Sequence, residues 1–183
     1  MVRTESPICD FNLPAIEFEL KGVDGKTYNL DSLKGPNGLL IMFICNHCPY
    51  VKSIINQIVA DTKELADLGV NSVGIMSNDP EEYEEDSYQN MQKISSSLNF
   101  PFPYLIDETQ EVAKAYGAVC TPDFFGYNKK LGLQYRGRLN ESRKESVDGA
   151  KRELFEAMRD IASTGNGPKH QTPSIGCSIK WFN

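Results

Sequence analysis

Two cysteines three positions apart, Cys45 and Cys48, carry the most distinctive chemistry in this sequence. A thiolate is the nucleophile in thiol-disulfide exchange, and a second thiol one helical turn away can attack the mixed disulfide that the first one forms. Between them lies His47, whose imidazolium would add positive charge and stabilise a thiolate at Cys45. The run Cys45-Asn46-His47-Cys48 therefore predicts a redox-active dithiol.

The flanking residues predict that this pair lies where a buried strand runs into a helix. Residues 39–44 are apolar on both faces, as in a central strand. Pro49 suits a first helical turn, and apolar residues then recur at helical spacing as far as Gly69. Unpaired N–H groups and the helix dipole favour a charged sulfur at such a junction. We therefore expect Cys45 to be the more exposed thiol with the lower pKa, and Cys48 the more buried one.

The rest of the pattern predicts an α/β sandwich with a mixed central sheet and an N-terminal β-hairpin. The hairpin is expected from residues 17–20 and 26–29, which flank a Gly-rich turn. Further strands are expected at residues 70–76, 124–127 and 133–139, and helices at residues 87–98, 109–116 and 145–162. The tail, residues 164–183, carries apolar residues that predict docking onto the body.

Length and composition favour one domain, residues 1–183, and exclude some classes of partner. The net charge is −6, with 19 basic and 25 acidic residues, which argues against nucleic acid or an anionic membrane surface. No stretch approaches the ~20 apolar residues of a spanning helix, and the first residues do not resemble a signal peptide. A cytoplasmic location is expected. The acidic run Glu81, Glu82, Glu84, Glu85 and Asp86 is interpreted as a solvated face.

Two other interpretations of the cysteines remain open. Cys45 and Cys48 could form half of a zinc site, but Cys9, Cys120 and Cys177 are scattered singly. The chain could also be a binding module that keeps the fold without the chemistry. Because five cysteines argue against a structural disulfide framework, catalysis without a metal or other cofactor is favoured.

Three stretches resemble the thioredoxin superfamily, and in detail its redoxin branch of alkyl hydroperoxide reductase and thiol-specific antioxidant proteins. They are Phe43-Ile44-Cys45-Asn46-His47-Cys48-Pro49-Tyr50-Val51-Lys52, Cys120-Thr121-Pro122-Asp123-Phe124 and Pro173-Ser174-Ile175-Gly176-Cys177-Ser178-Ile179-Lys180-Trp181. The resemblance implies a thioredoxin-like three-layer sandwich and a thiol-disulfide oxidoreductase. It also implies protein or small-molecule disulfides as substrates and a thioredoxin or glutathione system as reductant.

The resemblance further implies roles for individual residues. Cys45 would be the attacking thiol and Cys48 the resolving one. Pro122 would follow a cis peptide bond opposite the pair, and the backbone of Thr121 would be open to an extended substrate segment. Where ordinary thioredoxins have tryptophan before the first cysteine, this chain has Ile44, and residues 39–44 lack the usual buried acid.

Three more residues are possible accessories. Asp123 could replace the missing acid or could be a capping aspartate. Cys120 could relay a disulfide or could be a small buried residue, and Cys177 could be a resolving or a structural thiol.

A thiol-dependent peroxidase with antioxidant activity is the alternative function. The usual peroxidase signature, Pro-x-x-x-Thr-x-x-Cys, requires threonine three residues before the cysteine. Met42 stands there for Cys45, and Cys45 stands there for Cys48. A peroxidase would therefore have to use the dithiol pair.

Overall fold

The computed structural model describes residues 3–182, which form a seven-stranded mixed sheet with helices on both faces. The strands of this sheet are β2 (Glu19–Gly22), β3 (Thr27–Asn29), β4 (Gly38–Phe43), β5 (Val70–Met76), β6 (Tyr104–Ile106), β8 (Asp123–Asn128) and β9 (Leu133–Tyr135). Their order across the sheet is β3-β2-β6-β5-β4-β8-β9. Strands β4, β5 and β6 are parallel, and the remaining pairs are antiparallel. The predicted mixed sheet is confirmed.

Side chains alternate along β4 and fill two separate cores. Leu40 and Met42 pack on one face, and Leu39, Ile41 and Phe43 pack on the other. The helices are α1 (Leu30–Leu33), α2 (Pro49–Lys52), α3 (Ile55–Asp67), α4 (Tyr88–Ser97), α5 (Glu111–Tyr116) and α6 (Glu153–Thr164), with a 3₁₀ turn at Glu84–Asp86. The first core is covered by α3, α4 and α6, and the second by α1 and α5. Burial on both faces explains why β4 is apolar throughout.

Two predicted helices differ from those observed. The helix after Pro49 is divided into α2 and α3, because Ile54, at φ −121° and ψ 0°, leaves the helical region. The helix predicted for residues 145–162 begins at Glu153, because Gly149 has φ +69°, which no α-helix accommodates. Gly117, at φ +64°, ends α5 as predicted. No helix among residues 3–182 is long and apolar enough to cross a membrane.

A smaller antiparallel sheet attaches the C-terminal tail to the body. Its strands are β1 (Arg3–Glu5), β7 (Cys120–Thr121) and β10 (Ile175–Ser178), in the order β1-β10-β7. The register places Cys177 opposite Thr121 on one side and Arg3 on the other. Periodicity did not predict this sheet, since its strands are very short and lie far apart along the chain.

Gly176 permits the close approach of β10 to β7. A Cβ atom at this position would overlap the carbonyl oxygen of Thr121, which is backbone and cannot move aside cheaply. We expect Gly176→Ala to lower the free energy of unfolding by roughly 1–3 kcal/mol. Chemical denaturation measures the loss. The control is Ser178→Ala, which alters the same strand without adding a Cβ atom. Gly25→Ala would not serve, because the backbone at Gly25 has a positive φ. Equal stability of Gly176→Ala and wild type would contradict the packing argument.

Candidate functional site

The two cysteines lie at the end of β4, where the chain turns into α2. Strand β4 ends at Phe43, and Cys48 is the N-cap residue of α2, with Pro49 in the first turn as predicted. Both side chains are buried: Cys45 is 2% exposed and Cys48 is fully buried. The predicted strand-to-helix junction is therefore present, but Cys45 is barely more exposed than Cys48.

Thr121 contacts both sulfur atoms. Its Oγ1 lies 3.3 Å from Cys45 Sγ, and its carbonyl oxygen lies 3.2 Å from Cys48 Sγ. The Thr121–Pro122 peptide bond is cis, which confirms that prediction. The Thr121 backbone is not open on the side of the tail, however, because β10 pairs with it through Cys177. An extended substrate would have to displace β10 to pair with Thr121.

A buried carboxylate, Asp86, anchors the loop that carries the pair. One of its oxygens accepts hydrogen bonds from the backbone N–H groups of Asn46 (2.7 Å) and His47 (3.1 Å). The other lies 2.5 Å from His47 Nδ1 and accepts from Asn78 Nδ2 at 3.1 Å. Tyr83 stacks on the His47 ring with centroids 3.8 Å apart. Asp86 is fully buried, so interpreting the acidic run as a solvated face was wrong for its last residue.

His47 therefore faces a carboxylate rather than acting as an isolated cation. Its Nε2 is buried and has no hydrogen-bond partner within the described residues. A positive charge on the ring would be offset by Asp86, which accepts from the ring's other nitrogen. The predicted stabilisation of a Cys45 thiolate by His47 is accordingly weakened.

The hydrogen bonds and charges around the sulfur atoms reverse the predicted order of the pKa values of Cys45 and Cys48. Burial and, next, the hydrogen bond with Cys48 raise the pKa of Cys45 well above its ordinary value, and the charge of Asp86 acts in the same direction. Hydrogen bonds from Cys177 and then Cys45 lower the pKa of Cys48. Cys48 is the N-cap residue of α2 but makes no capping hydrogen bond through its side chain, so the reversal follows from the contacts among the sulfur atoms. The hydrogen bonds among these three sulfurs thus favour a thiolate at Cys48 over one at Cys45.

The other cysteines occupy different environments. Cys177 Sγ lies 3.0 Å from Cys48 Sγ, so this accessory candidate belongs to the site. Cys120 is fully buried on β7 with its sulfur 3.5 Å from the Pro122 carbonyl oxygen, and burial raises its pKa. Cys9 is partly buried near the N-terminus. No disulfide links the cysteines.

Asp123 forms a buried ion pair, and the proton role suggested for it stays a prediction. Its carboxylate is fully buried and pairs with Arg136 at 3.0 Å, and it also accepts from the backbone N–H of Val119. Burial raises the pKa of Asp123, and Arg136 opposes that shift. Arg136 also donates to the carbonyl of Gly117. This ion pair ties the start of β8 to the residue after β9, and the Gly117 contact extends the tie to the end of α5.

Cys45, His47 and Asp86 could together offer ligands to a metal ion. One donor atom from each lies within 4.8 Å of the others. Both Asp86 oxygens, however, already accept two hydrogen bonds each, and His47 Nδ1 is one of the donors. The geometry therefore fits a hydrogen-bonded carboxylate–imidazole pair better than a metal centre.

A shallow, mainly apolar pocket opens beside Cys45. Its lining consists of Ile44, Cys45, Asn46, Val51, Lys52, Ile55, Ile94, Phe100 and Tyr104. The Tyr104 hydroxyl donates to Asn46 Oδ1 at 3.0 Å and so fixes the loop on this side. Cys45 lines this pocket and is the member of the pair positioned to meet a substrate there.

Comparisons with known proteins agree on the fold. The model of the AhpC/TSA family matches residues 12–141. An uncharacterised conserved protein from Geobacillus kaustophilus is 44% identical over 100% of this chain and 97% of its own, with a TM-score of 0.93. A hypothetical protein from Sinorhizobium meliloti is 34% identical over 98% of each chain, with a TM-score of 0.91. No curated protein matches.

A more distant solved structure identifies the fold class. A thiol:disulfide interchange protein of the thioredoxin family from Chlorobium tepidum is 21% identical over 87% of this chain and 99% of its own, with a TM-score of 0.61. At that identity the likeness concerns the fold alone. The predicted thioredoxin-like sandwich is confirmed.

Replacing Asp86 tests its role as the anchor of the loop. Asp86→Asn keeps the shape but turns one oxygen into a donor facing His47 Nδ1 and Asn78 Nδ2. We expect the free energy of unfolding to fall by roughly 1–3 kcal/mol, since buried donors lose their acceptor. Urea denaturation measures this, and Glu84→Gln in the same 3₁₀ turn is the exposed control. Equal losses in the two variants would show that Asp86 does not anchor the loop.

The coupling between the two thiols predicts a pH effect. Cys48 raises the pKa of Cys45 through both its hydrogen bond and its charge, so Cys48→Ser should lower that pKa. Iodoacetamide should then alkylate Cys45 faster at pH 8, with the rate profile displaced to lower pH. Mass spectrometry of the Cys45 peptide gives the rates, and Cys120→Ser is the control. A Cys48→Ser profile displaced to higher pH would contradict the assignment.

Proposed function

Because the chain belongs to the AhpC/TSA family, we propose that it is a thiol-disulfide oxidoreductase whose Cys45 and Cys48 alternate between dithiol and disulfide. The contact of one residue, Thr121, with both sulfurs is the observation that carries this proposal. It brings the two thiols and the cis-Pro122 segment into one buried site. Chance adjacency of two core cysteines would not require this shared partner.

Cys45 is the attacking thiol in this proposal, although the hydrogen bonds of the site favour a thiolate at Cys48. The hydrogen bond between the two sulfurs lets the Cys45 proton pass to Cys48. The Thr121 carbonyl oxygen, 3.2 Å from Cys48 Sγ, can then accept a hydrogen bond from the newly protonated thiol. Thr121 Oγ1 can donate to the Cys45 thiolate, which lowers the pKa of Cys45. Thr121 thus stabilises the site whether the shared proton lies on Cys45 or on Cys48.

The reaction proceeds through two exchanges. The Cys45 thiolate attacks one sulfur of the substrate disulfide, whose S–S bond breaks, and the other substrate sulfur leaves as a thiolate that takes up a proton. Cys48 then gives up the proton it took from Cys45, attacks Cys45 Sγ and forms the Cys45–Cys48 disulfide, while the second substrate sulfur leaves as a thiolate and takes up that proton. Two electrons pass to the substrate. A thiol reductant of the thioredoxin or glutathione class returns them, which suits a reducing compartment such as the cytoplasm.

The geometry favours small disulfides over extended protein segments. Strand β10 pairs with Thr121, whereas the pocket beside Cys45 is accessible without moving any strand. Lys52 on the pocket rim makes a 2.7 Å ion pair with Glu85, so the rim is not strongly charged. A compact disulfide with some apolar character would approach Cys45 at the mouth of this pocket, which is too small to enclose it.

A single-turnover assay tests the proposal. Reduced protein is mixed with one equivalent of hydroxyethyl disulfide, and the thiols lost are counted. We expect wild type to lose two thiols per chain and Cys45→Ser to react at least about a hundredfold more slowly, because the nucleophile is gone. Cys9→Ser removes a cysteine outside the site and should react like wild type. Equal rates for Cys45→Ser and wild type would refute the proposal.

The same assay with one equivalent of hydrogen peroxide separates the alternative. A thiol-dependent peroxidase would use the same pair, and the match to the AhpC/TSA family is the reason to test for this activity. We expect the disulfide to react faster than the peroxide, since no threonine stands three residues before Cys45. A faster reaction with peroxide, lost in Cys45→Ser, would favour the peroxidase.

A further inference from the structure

Strand β10 occupies the edge of the cis-proline segment that would otherwise face a substrate. Its residue Cys177 stands opposite Thr121 in the antiparallel register, and Ser178 stands opposite Cys120. Gly176 permits the close approach of the two backbones. The chain therefore presents a thiol of its own to the cysteine pair at the position beside Thr121.

Cys48 is the common neighbour of the other two sulfurs. It is hydrogen-bonded to Cys45, and its Sγ lies 3.0 Å from Cys177 Sγ. That separation is only about 1 Å longer than a disulfide bond, so a small side-chain movement would close it. Cys177 is buried, with 2% of its surface exposed, which shields the contact from solvent thiols.

We propose that Cys177 is a third redox-active thiol, which takes the disulfide from Cys45 and stores it as a Cys48–Cys177 bond. This step rests on the proposed function, because the Cys45–Cys48 disulfide is its starting point. The Cys177 thiolate attacks Cys48 Sγ, the Cys45–Cys48 bond breaks, and Cys45 leaves as a thiolate. The proton lost by Cys177 is balanced by the one that Cys45 gains. No further oxidant is needed, since one disulfide replaces another.

Oxidation of the pair removes the main obstacle to this attack. In the reduced site the hydrogen bond with Cys48 is the largest cause that raises the pKa of Cys177, followed by burial and by the charge of Cys48. Once Cys48 is in a disulfide it carries no charge. Burial then remains, opposed by the positive charges of Lys180 and Lys144. The transfer is thus favoured only after the pair has been oxidised.

The transfer has two consequences for the molecule. Cys45 returns to the thiol form beside its pocket, and a second substrate disulfide would convert it to a mixed disulfide that the external thiol reductant resolves, because Cys48 is already bonded to Cys177. The new bond joins Cys48, at the start of α2, to β10, 129 residues further along the chain. The oxidised chain would hold its C-terminal strand covalently against the active-site helix.

Disulfide mapping after one turnover tests the transfer. Wild type is oxidised with one equivalent of hydroxyethyl disulfide, quenched with acid, alkylated and digested without reductant. We expect a peptide linked through Cys48 and Cys177, with Cys45 alkylated. In Cys177→Ser that peptide should be absent, and alkylation of Cys45 after turnover should fall roughly tenfold, because Cys45 stays in the first disulfide. Cys120→Ser, which alters a buried cysteine on the neighbouring strand, should behave like wild type.

Cys45→Ser supplies an independent arm if Cys177→Ser folds poorly. Oxidation of Cys45→Ser with excess hydroxyethyl disulfide should yield the same Cys48–Cys177 peptide, since these two thiols remain adjacent. If wild type is oxidised at the pair but neither protein forms this bond, Cys177 is a structural thiol and the inference fails. A Cys48–Cys120 bond in its place would also overturn it. If wild type is not oxidised by the disulfide at all, the proposed function fails first, and Cys45→Ser still reports on the contact.

Discussion

The pairing of β10 with β7 at Thr121 is the constraint on which the sulfur chemistry depends. It fixes the backbone of Thr121, whose side chain contacts Cys45 and whose carbonyl oxygen contacts Cys48. The same pairing brings Cys177 to 3.0 Å from Cys48. Without β10 the site would hold two thiols and an open strand edge, the arrangement expected from the resemblance to thioredoxins. With it, three sulfurs form one buried group around Cys48.

Asp86 provides the second constraint, since it holds the loop between Phe43 and Cys48 from outside the sheet. Its four hydrogen bonds reach the backbone of Asn46 and His47, the His47 ring and Asn78. A buried carboxylate is stable only when its oxygens are satisfied in this way. Its charge also helps to keep the pKa of Cys45 high. The same residue thus shapes the loop and restrains its first thiol.

Local pattern predicted those parts of the site that depend on neighbours in sequence. Burial of β4 on both faces, the start of α2 at Pro49 and the cis-proline segment all follow from short runs of residues. The role of Asp86 could not be predicted, because four exposed-looking acids precede it and the loop residues it binds, Asn46 and His47, lie about 40 residues away. The only local signal was that Asp86 ends this run immediately before the N-cap Ser87.

The same limit explains the errors in the thiol assignment. The order of the pKa values depends on Cys177, which is 129 residues from Cys48 and arrives through a four-residue strand with no periodicity of its own. Gly176 was the available hint, since a glycine inside a strand indicates close approach of another backbone. Asp123 had two plausible roles in the sequence, and its ion pair with Arg136 was not among them.

The reduction potential of the Cys45–Cys48 pair tests the central claim most directly. The account predicts a two-electron transition with a slope of about 30 mV per tenfold change in redox buffer, absent in Cys48→Ser, which removes the sulfur that both proposed disulfides share. It also predicts a midpoint less negative than the roughly −270 mV of thioredoxin, because hydrogen bonds to the Cys48 sulfur stabilise the reduced state. A protein that shows no two-electron transition in glutathione and dithiothreitol buffers, or the same transition in Cys48→Ser, would contradict the account.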